Sequence, residues 1–217
     1  ERILRELVVY AVPLVNPDGN YLALELQRPG RKNGRDINGD GIRAHSEGVD
    51  LNRNYPFRWH FLGERGSSSS HGHKWYRGSA PASEPETRAM MRLANSELFA
   101  GSISFHTGTV AVLAPYTIPK VSDPTPNVAW LVGGQVARSV THHPEGGGAP
   151  LRRNLYPVDG TDQDWIRHSH GTVALLVEGA NVNRGPNINR RAIAAIRPTW
   201  LTLFDRYLDG PSLYGHV

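Results

Sequence analysis

Between Arg35 and Trp59 the chain reads RDINGDGIRAHSEGVDLNRNYPFRW, and the first half has the spacing of a hard-cation loop. Asp36, Asn38, Asp40 and Glu47 fall at positions one, three, five and twelve of D-x-N-x-D-G-x5-E, with Gly41 at six for the turn. Carboxylate and amide oxygens at this density suit calcium. The flanking segments carry no helical pattern, so this is not an ordinary helix–loop–helix, and a Gly/Asp-rich turn of similar composition stands as the alternative. The second half, GVDLNRNY, is not calcium chemistry. It sets the amide of Asn52 beside the guanidinium of Arg53, whose planar fork pairs with a carboxylate through two hydrogen bonds.

Other reactive groups are scattered. There are no cysteines, so a transition metal would have to be held by His, Asp and Glu. His106 lies in SISFHTG just before a break; a lone histidine in an apolar strand is more often structural. Glu178 ends the apolar run VALLVEG, where burial would raise its pKa into a range suited to proton transfer. His142 and Glu145 have H-x-x-E spacing, but in a loop between a helix end and a glycine run. The histidines of HGH (His71, His73) and HSH (His168, His170) read as surface residues. The net charge of +4 comes from scattered arginines rather than one basic run, which argues against a nucleic-acid partner. No apolar run reaches the length of a membrane span.

These groups need a scaffold. The 217 residues suffice for one sizeable domain. Leu7–Val15 (LVVYAVPLV) predicts a buried strand and NPDG a tight turn. Residues 28–80 lack periodicity and read as a long, functional loop region. A helix starts in SEPET, with Ser83 as N-cap, Glu86 completing a capping box, and Ala89, Met90, Leu93 and Ala94 on one face. Two strands follow, broken at Thr107-Gly108, then a helix over Asp123–His142 closed by Gly146–Gly148. VALLVEG is a further buried strand. Ile193, Ile196, Trp200, Leu203 and Tyr207 mark a last helix bent at Pro198. Strands alternating with helices, with polar residues at strand ends, predict one α/β unit.

In order along the chain, NPDG, RKNG, GVDLNRNY, SEPET, SISFHTGTVAVLAPY, LYPVDGTDQDW and VALLVEG resemble the zinc carboxypeptidases of the carboxypeptidase A type. The resemblance covers nearly the whole chain from Val8 onward. It implies an α/β fold with a mixed, mostly parallel central sheet flanked by helices. It also implies that residues 1–217 are a single, partial catalytic domain whose N-terminal part is missing. Removing a C-terminal residue takes a cation for the terminal carboxylate, a metal-activated water, a base and an oxyanion stabiliser. The resemblance gives Arg53 and Asn52 the first role and Glu178 that of the base. Arg31 of RKNG takes the oxyanion, although Gly30 replaces the usual tryptophan before it. Tyr156 closes over substrate, and Asp50 orients a zinc-binding imidazole. His106 becomes a zinc ligand.

The family's other two zinc ligands come from an H-x-x-E upstream of Leu7, absent here, so a preceding segment of the same protein is an expected partner. Peptide or protein C-termini are the expected substrates, Zn2+ and Ca2+ the expected ions, and the setting is expected to be secreted or extracellular. For side-chain specificity, the loop VDGTDQDW is the one to watch. Gln163 stands where relatives carry an apolar or an acidic residue, and Asp159 and Asp162 would favour Lys or Arg. Gly108 replaces an aromatic subsite residue two after the zinc histidine. Two other readings remain: a peptidoglycan stem-peptide hydrolase of the same superfamily, and a non-catalytic, calcium-stabilised binding module.

Overall fold

The computed structural model describes residues 1–42, 44, 46–180 and 186–210. Helices α1 (Arg2–Glu6) and α2 (Pro17–Leu24) come first, then the long loop region, which among its described residues holds two short 3-10 turns. Helix α3 (Pro85–Glu97) leads into strands β1 (Gly101–His106) and β2 (Val110–Leu113). Helix α4 (Val128–Ser139), strand β3 (Leu151–Arg152), helix α5 (Asp162–His170) and strand β4 (Val173–Gly179) follow, and α6 (Pro186–Ile196) and α7 (Pro198–Asp209) finish.

The sheet runs β1-β4-β2-β3. β4 is parallel to β1 and antiparallel to β2, and β2 is parallel to β3, so the sheet is mixed with parallel pairs in the majority. β4 is central because its sequence is apolar on both faces, and only a strand covered on both sides can hide such a run. Its period of two splits it cleanly. Val173, Leu175 and Val177 pack with Val132 and Val136 of α4 and Leu203 of α7. Leu176 packs on the opposite face with Ala111 and Leu113. Glu178, two residues on, shares that second face. The helix-side core thus fixes which way the glutamate points, and each such buried aliphatic contributes roughly 1.5–3 kcal/mol.

Several local expectations change. Leu7–Val15 forms no strand: Val8, Val9, Tyr10, Val12, Leu14 and Val15 are exposed. An apolar run becomes a strand only when another strand takes its backbone groups, and none of the described residues does. NPDG opens α2 rather than a turn, because Asn16 Oδ1 accepts from Gly19 N at 2.9 Å and Pro17 suits the first helical turn. The N-cap of α3 is Glu84, without a side-chain cap. Ser83 Oγ instead donates to Glu84 Oε1, and Glu86 accepts from Asn33 Nδ2, so no capping box forms. Ala89 is exposed, whereas Thr87, Met90, Met91 and Ala94 face inward. The helix foreseen over 123–142 is shorter, its N-cap Asn127 accepting from Trp130 N. The last helix is two, separated at Arg197.

Candidate active site

The site begins with a cap. Asp50 Oδ1 accepts from Asn52 N at 3.1 Å and starts the single 3-10 turn Leu51–Arg53. Its other oxygen, Oδ2, accepts from Arg31 Nε at 2.9 Å, with Asp50 only 1% exposed. The partner of Asp50 is therefore Arg31; no imidazole among the described residues is hydrogen-bonded to it. Burial works against the Arg31 charge, but the Asp50 carboxylate outweighs it and lifts the guanidinium above its ordinary value. Gly30 has no room for a side chain: a Cβ there would run into the Gly19 carbonyl and Ala23 of α2. A tryptophan would not fit at this position.

Arg53 is buried. Nη1 donates to its neighbour's carbonyl, Asn52 O, at 2.7 Å, and Nη2 to Tyr156 Oη at 3.3 Å; Nε has no hydrogen-bond partner. Among the described residues no carboxylate lies within ion-pairing distance of it. Its guanidinium sits 5.9 Å from the ring centroids of both Trp75 and Tyr156, which stack on each other nearly parallel. Trp75 was not foreseen, since nothing in HKWY marks it by spacing. Asn52 Oδ1 accepts from Asp162 N at 2.8 Å, tying the 3-10 turn to the start of α5.

The sheet delivers the other half. His106 and Glu178 are register partners across β1 and β4. Burial pushes the Glu178 carboxyl up, against the pull of Arg31 and Arg53, and Glu178 Oε2 is a buried oxygen without a partner. His106 Nε2 lies 3.0 Å from Ser104 Oγ, and burial lowers its pKa. Gly108 has φ +147°, a conformation that L side chains rarely adopt, so a side chain in its place would be strained.

Arg31, Asn52, Arg53, His106, Tyr156, Gln163 and Glu178 line one partly open pocket. Leu113, Leu155, Val158, Thr161 and Leu176 complete its wall. Of these five, only Val158 and Thr161 fall in the loop VDGTDQDW that the sequence had marked for specificity. Asp159 is not part of it. Its carboxylate is 1% exposed, accepts from Ser67 Oγ and Leu62 N, and holds the preceding loop. Gln163 and Asp164 lie in α5, not in a loop. His142 is exposed and hydrogen-bonded to Thr141, while His143 is buried against the Gly179 carbonyl.

In the acidic loop, ligand oxygens of Asp36, Asp40 and Glu47 all lie within 4.8 Å of one another. Asn38 Nδ2 donates to Asp40 Oδ2, and Gly39 N and Gly41 N donate to Asp36, so the loop folds back on itself. Arg43 and His45 of this loop lie outside the described residues.

The family model described as zinc carboxypeptidase matches residues 1–205. The chain belongs to the zinc carboxypeptidase family. It is 29% identical over 171 residues to a metallocarboxypeptidase A-like protein of Trichophyton verrucosum, covering 76% of this chain and 39% of that one. It is 30% identical over 172 residues to human carboxypeptidase B2, covering 76% and 38%. It thus spans about two fifths of these relatives' length. Bovine thrombin-activatable fibrinolysis inhibitor, solved with a tick carboxypeptidase inhibitor, shares its fold at TM-score 0.76 and 22% identity, over 92% of this chain and 69% of that one. Carboxypeptidase A of Helicoverpa armigera aligns at TM-score 0.72 and 22% identity, over 88% and 48%.

A zinc carboxypeptidase site needs three protein ligands and a water. Among the described residues, the one group of three acidic or imidazole side chains within mutual reach is the loop trio above. His106 has no such companions, so the described residues alone do not hold a zinc ion.

Proposed function

We propose that this zinc carboxypeptidase chain carries the substrate-binding and proton-transfer half of an enzyme that hydrolyses C-terminal peptide bonds. The observation behind this reading is Arg53. A buried guanidinium with an unpartnered Nε, no carboxylate partner among the described residues and an aromatic roof is costly unless something anionic completes it. A peptide's terminal carboxylate fits, with Asn52 alongside. Arg53 and Glu178 line the same pocket, so a peptide anchored by its carboxylate brings its last peptide bond towards Glu178. Glu178, with its raised pKa, takes the proton of the attacking water, and Arg31, in the same pocket, stabilises the oxygen that becomes negative. Tyr156, already bonded to Arg53, covers the bound end. With further ligands supplied from outside the described residues, His106 would give one imidazole to a zinc ion, which would supply Lewis acidity.

The acidic loop belongs to the same reading. Calcium at Asp36, Asn38, Asp40 and Glu47 would clamp the segment between Arg31 and Asn52, whose two ends must arrive in the pocket together.

The test is a hydrolysis panel on the intact protein. Peptides with a free C-terminus should be cut and their amidated counterparts should not. Equal cleavage of both would remove the carboxylate anchor. Preferential cleavage of diaminopimelate-containing stem peptides would move the substrate to the cell wall. Binding without turnover would leave a non-catalytic module.

A further inference from the structure

The pocket floor carries a chain of three hydrogen-bonding groups whose polarity can be worked out from its far end. Asp164 is 2% exposed and has no cation within ion-pairing distance among the described residues. It accepts from Thr117 N at 2.8 Å and Ile118 N at 3.0 Å, and Thr117 Oγ1 lies 2.9 Å from its Oδ2. A carboxylate only accepts, so the Thr117 hydroxyl must donate to it. That spends the hydroxyl's one proton and leaves Thr117 Oγ1 an acceptor. The next group along, 3.2 Å away, is the Gln163 amide. Only its NH2 end can donate to Thr117 Oγ1. The orientation of the amide is thereby fixed, and Gln163 Oε1 is left over.

Gln163 Oε1 is buried and has no hydrogen-bond partner, and Gln163 lines the pocket. An unsatisfied buried acceptor in a ligand pocket calls for a donor from the ligand. Thr161 Oγ1, also buried and unpartnered in the same wall, can rotate to either role and does not set the polarity. Leu113, Leu155, Val158 and Leu176 add aliphatic wall. Charge in the pocket is mixed: Arg31, Arg53 and Glu178 line it, while Asp164 stands behind Gln163 and Asp162, whose Oδ1 is buried without a partner, is next to Gln163 in sequence.

We infer that the Asp164–Thr117–Gln163 chain fixes the pocket floor as a hydrogen-bond acceptor, so the site takes C-terminal residues with an aliphatic stem and a donor tip, lysine foremost. This rests on the reading of Arg53 as the carboxylate anchor. Thr117 and Asp164 are positioning residues: they touch no substrate and act by orienting the Gln163 amide. A C-terminal glutamate would set acceptor against acceptor and is rejected.

Calorimetric binding of free L-lysine, L-norleucine and L-glutamate to the intact protein tests this at neutral to mildly alkaline pH. All three offer the same carboxylate to Arg53, and lysine and norleucine differ only at the tip. Lysine should bind roughly tenfold more tightly than norleucine, and glutamate more weakly than both. Thr117→Val should bring the lysine-to-norleucine ratio close to one, and Thr117→Ser should restore it. Gln163→Leu, which leaves the Asp164–Thr117 bonds in place, should reverse the ratio even if the valine variant fails to fold. Equal wild-type affinities for the three overturn the floor's polarity while the anchor stands. Absence of binding by all three overturns the anchor, and the inference with it.

Discussion

Arg53 Nη2 donates to Tyr156 Oη at 3.3 Å, and the same guanidinium lies equally far from the Tyr156 and Trp75 ring centroids. The aromatic pair lends a buried cation some quadrupole stabilisation, but a ring face is no substitute for a carboxylate. Arg53→Ala in the intact protein should raise KM for free-ended peptides by roughly tenfold to a hundredfold, the range of a desolvated charge-assisted hydrogen bond. Arg53→Lys should recover little, since a point charge lacks the fork. Steady-state kinetics decide; an unchanged KM in the alanine variant would take Arg53 out of substrate binding.

Glu178→Gln keeps the shape of the side chain but cannot accept a proton from water. Turnover should fall by at least roughly a hundredfold, while the melting temperature and the affinity for a free amino acid at Arg53 stay near wild type. Turnover within a few-fold of wild type would exclude Glu178 as the base.

Which of these features were legible in the sequence follows from where the determining forces lie. β4 could be read because an unbroken apolar run such as VALLVEG is a local pattern; the helix faces were read only in part, since Leu203 is buried but Ala89, Ile193 and Tyr207 are exposed. Arg53, His106 and Glu178 could be placed because motif order survives without coordinates. Leu7–Val15 could not be read correctly: strand formation depends on a neighbour, and the neighbour is not written in the strand. Asp159 misled for a similar reason. Its charge suggested the pocket, but Ser67 and the Leu62 amide, far away in sequence, claim both of its oxygens. Gln163 was visible as a position, yet its polarity depends on Thr117 and Asp164, which only the fold brings together.

Asp164 also gives the stability of the fold a pH dependence. Burial pushes its carboxyl up to about 6 from an ordinary 3.8, with the Thr117 and Ile118 hydrogen bonds pulling the other way. A carboxyl whose folded pKa exceeds its unfolded one favours the fold fully below the unfolded value, and that contribution fades as pH rises through the folded value. The amount at stake is on the order of 3 kcal/mol. The melting temperature of wild type minus that of Asp164→Asn should therefore decrease between about pH 4 and pH 7. The asparagine itself shifts the level of that difference but not its slope. A flat difference would show that Asp164 does not titrate in this window.

The acidic loop should respond to chelation. Asp36, Asp40 and Glu47 converge in an exposed loop whose carboxylates are held mainly by backbone N–H groups. Without a cation, three negative charges within reach of one another repel. EGTA at fixed zinc should lower the melting temperature, and added calcium should restore it. Asp36→Asn with Asp40→Asn should leave the melting temperature unresponsive to EGTA and calcium. No shift on chelation would reduce the motif to a Gly/Asp-rich turn.

The last prediction concerns zinc and the 217-residue chain on its own. A zinc site draws most of its binding free energy from a complete, pre-oriented ligand set. His106 is held in place by β1, yet the described residues around it offer no second and third ligand, and Asp50 is committed to Arg31. Residues 1–217 expressed alone should therefore retain well under one zinc per chain after dialysis, measured by mass spectrometry. His106→Ala should leave that low value unchanged. The exposed run from Val8 to Val15 adds a second expectation. Six large apolar side chains on one short segment are a surface on which copies associate, so size-exclusion chromatography should show self-association that grows with concentration. Charged substitutions at Val8 and Val12 should relieve it. Stoichiometric zinc lost on His106→Ala would instead show that residues of this chain outside the described set, or a rearranged pair such as His142 and Glu145, complete the site.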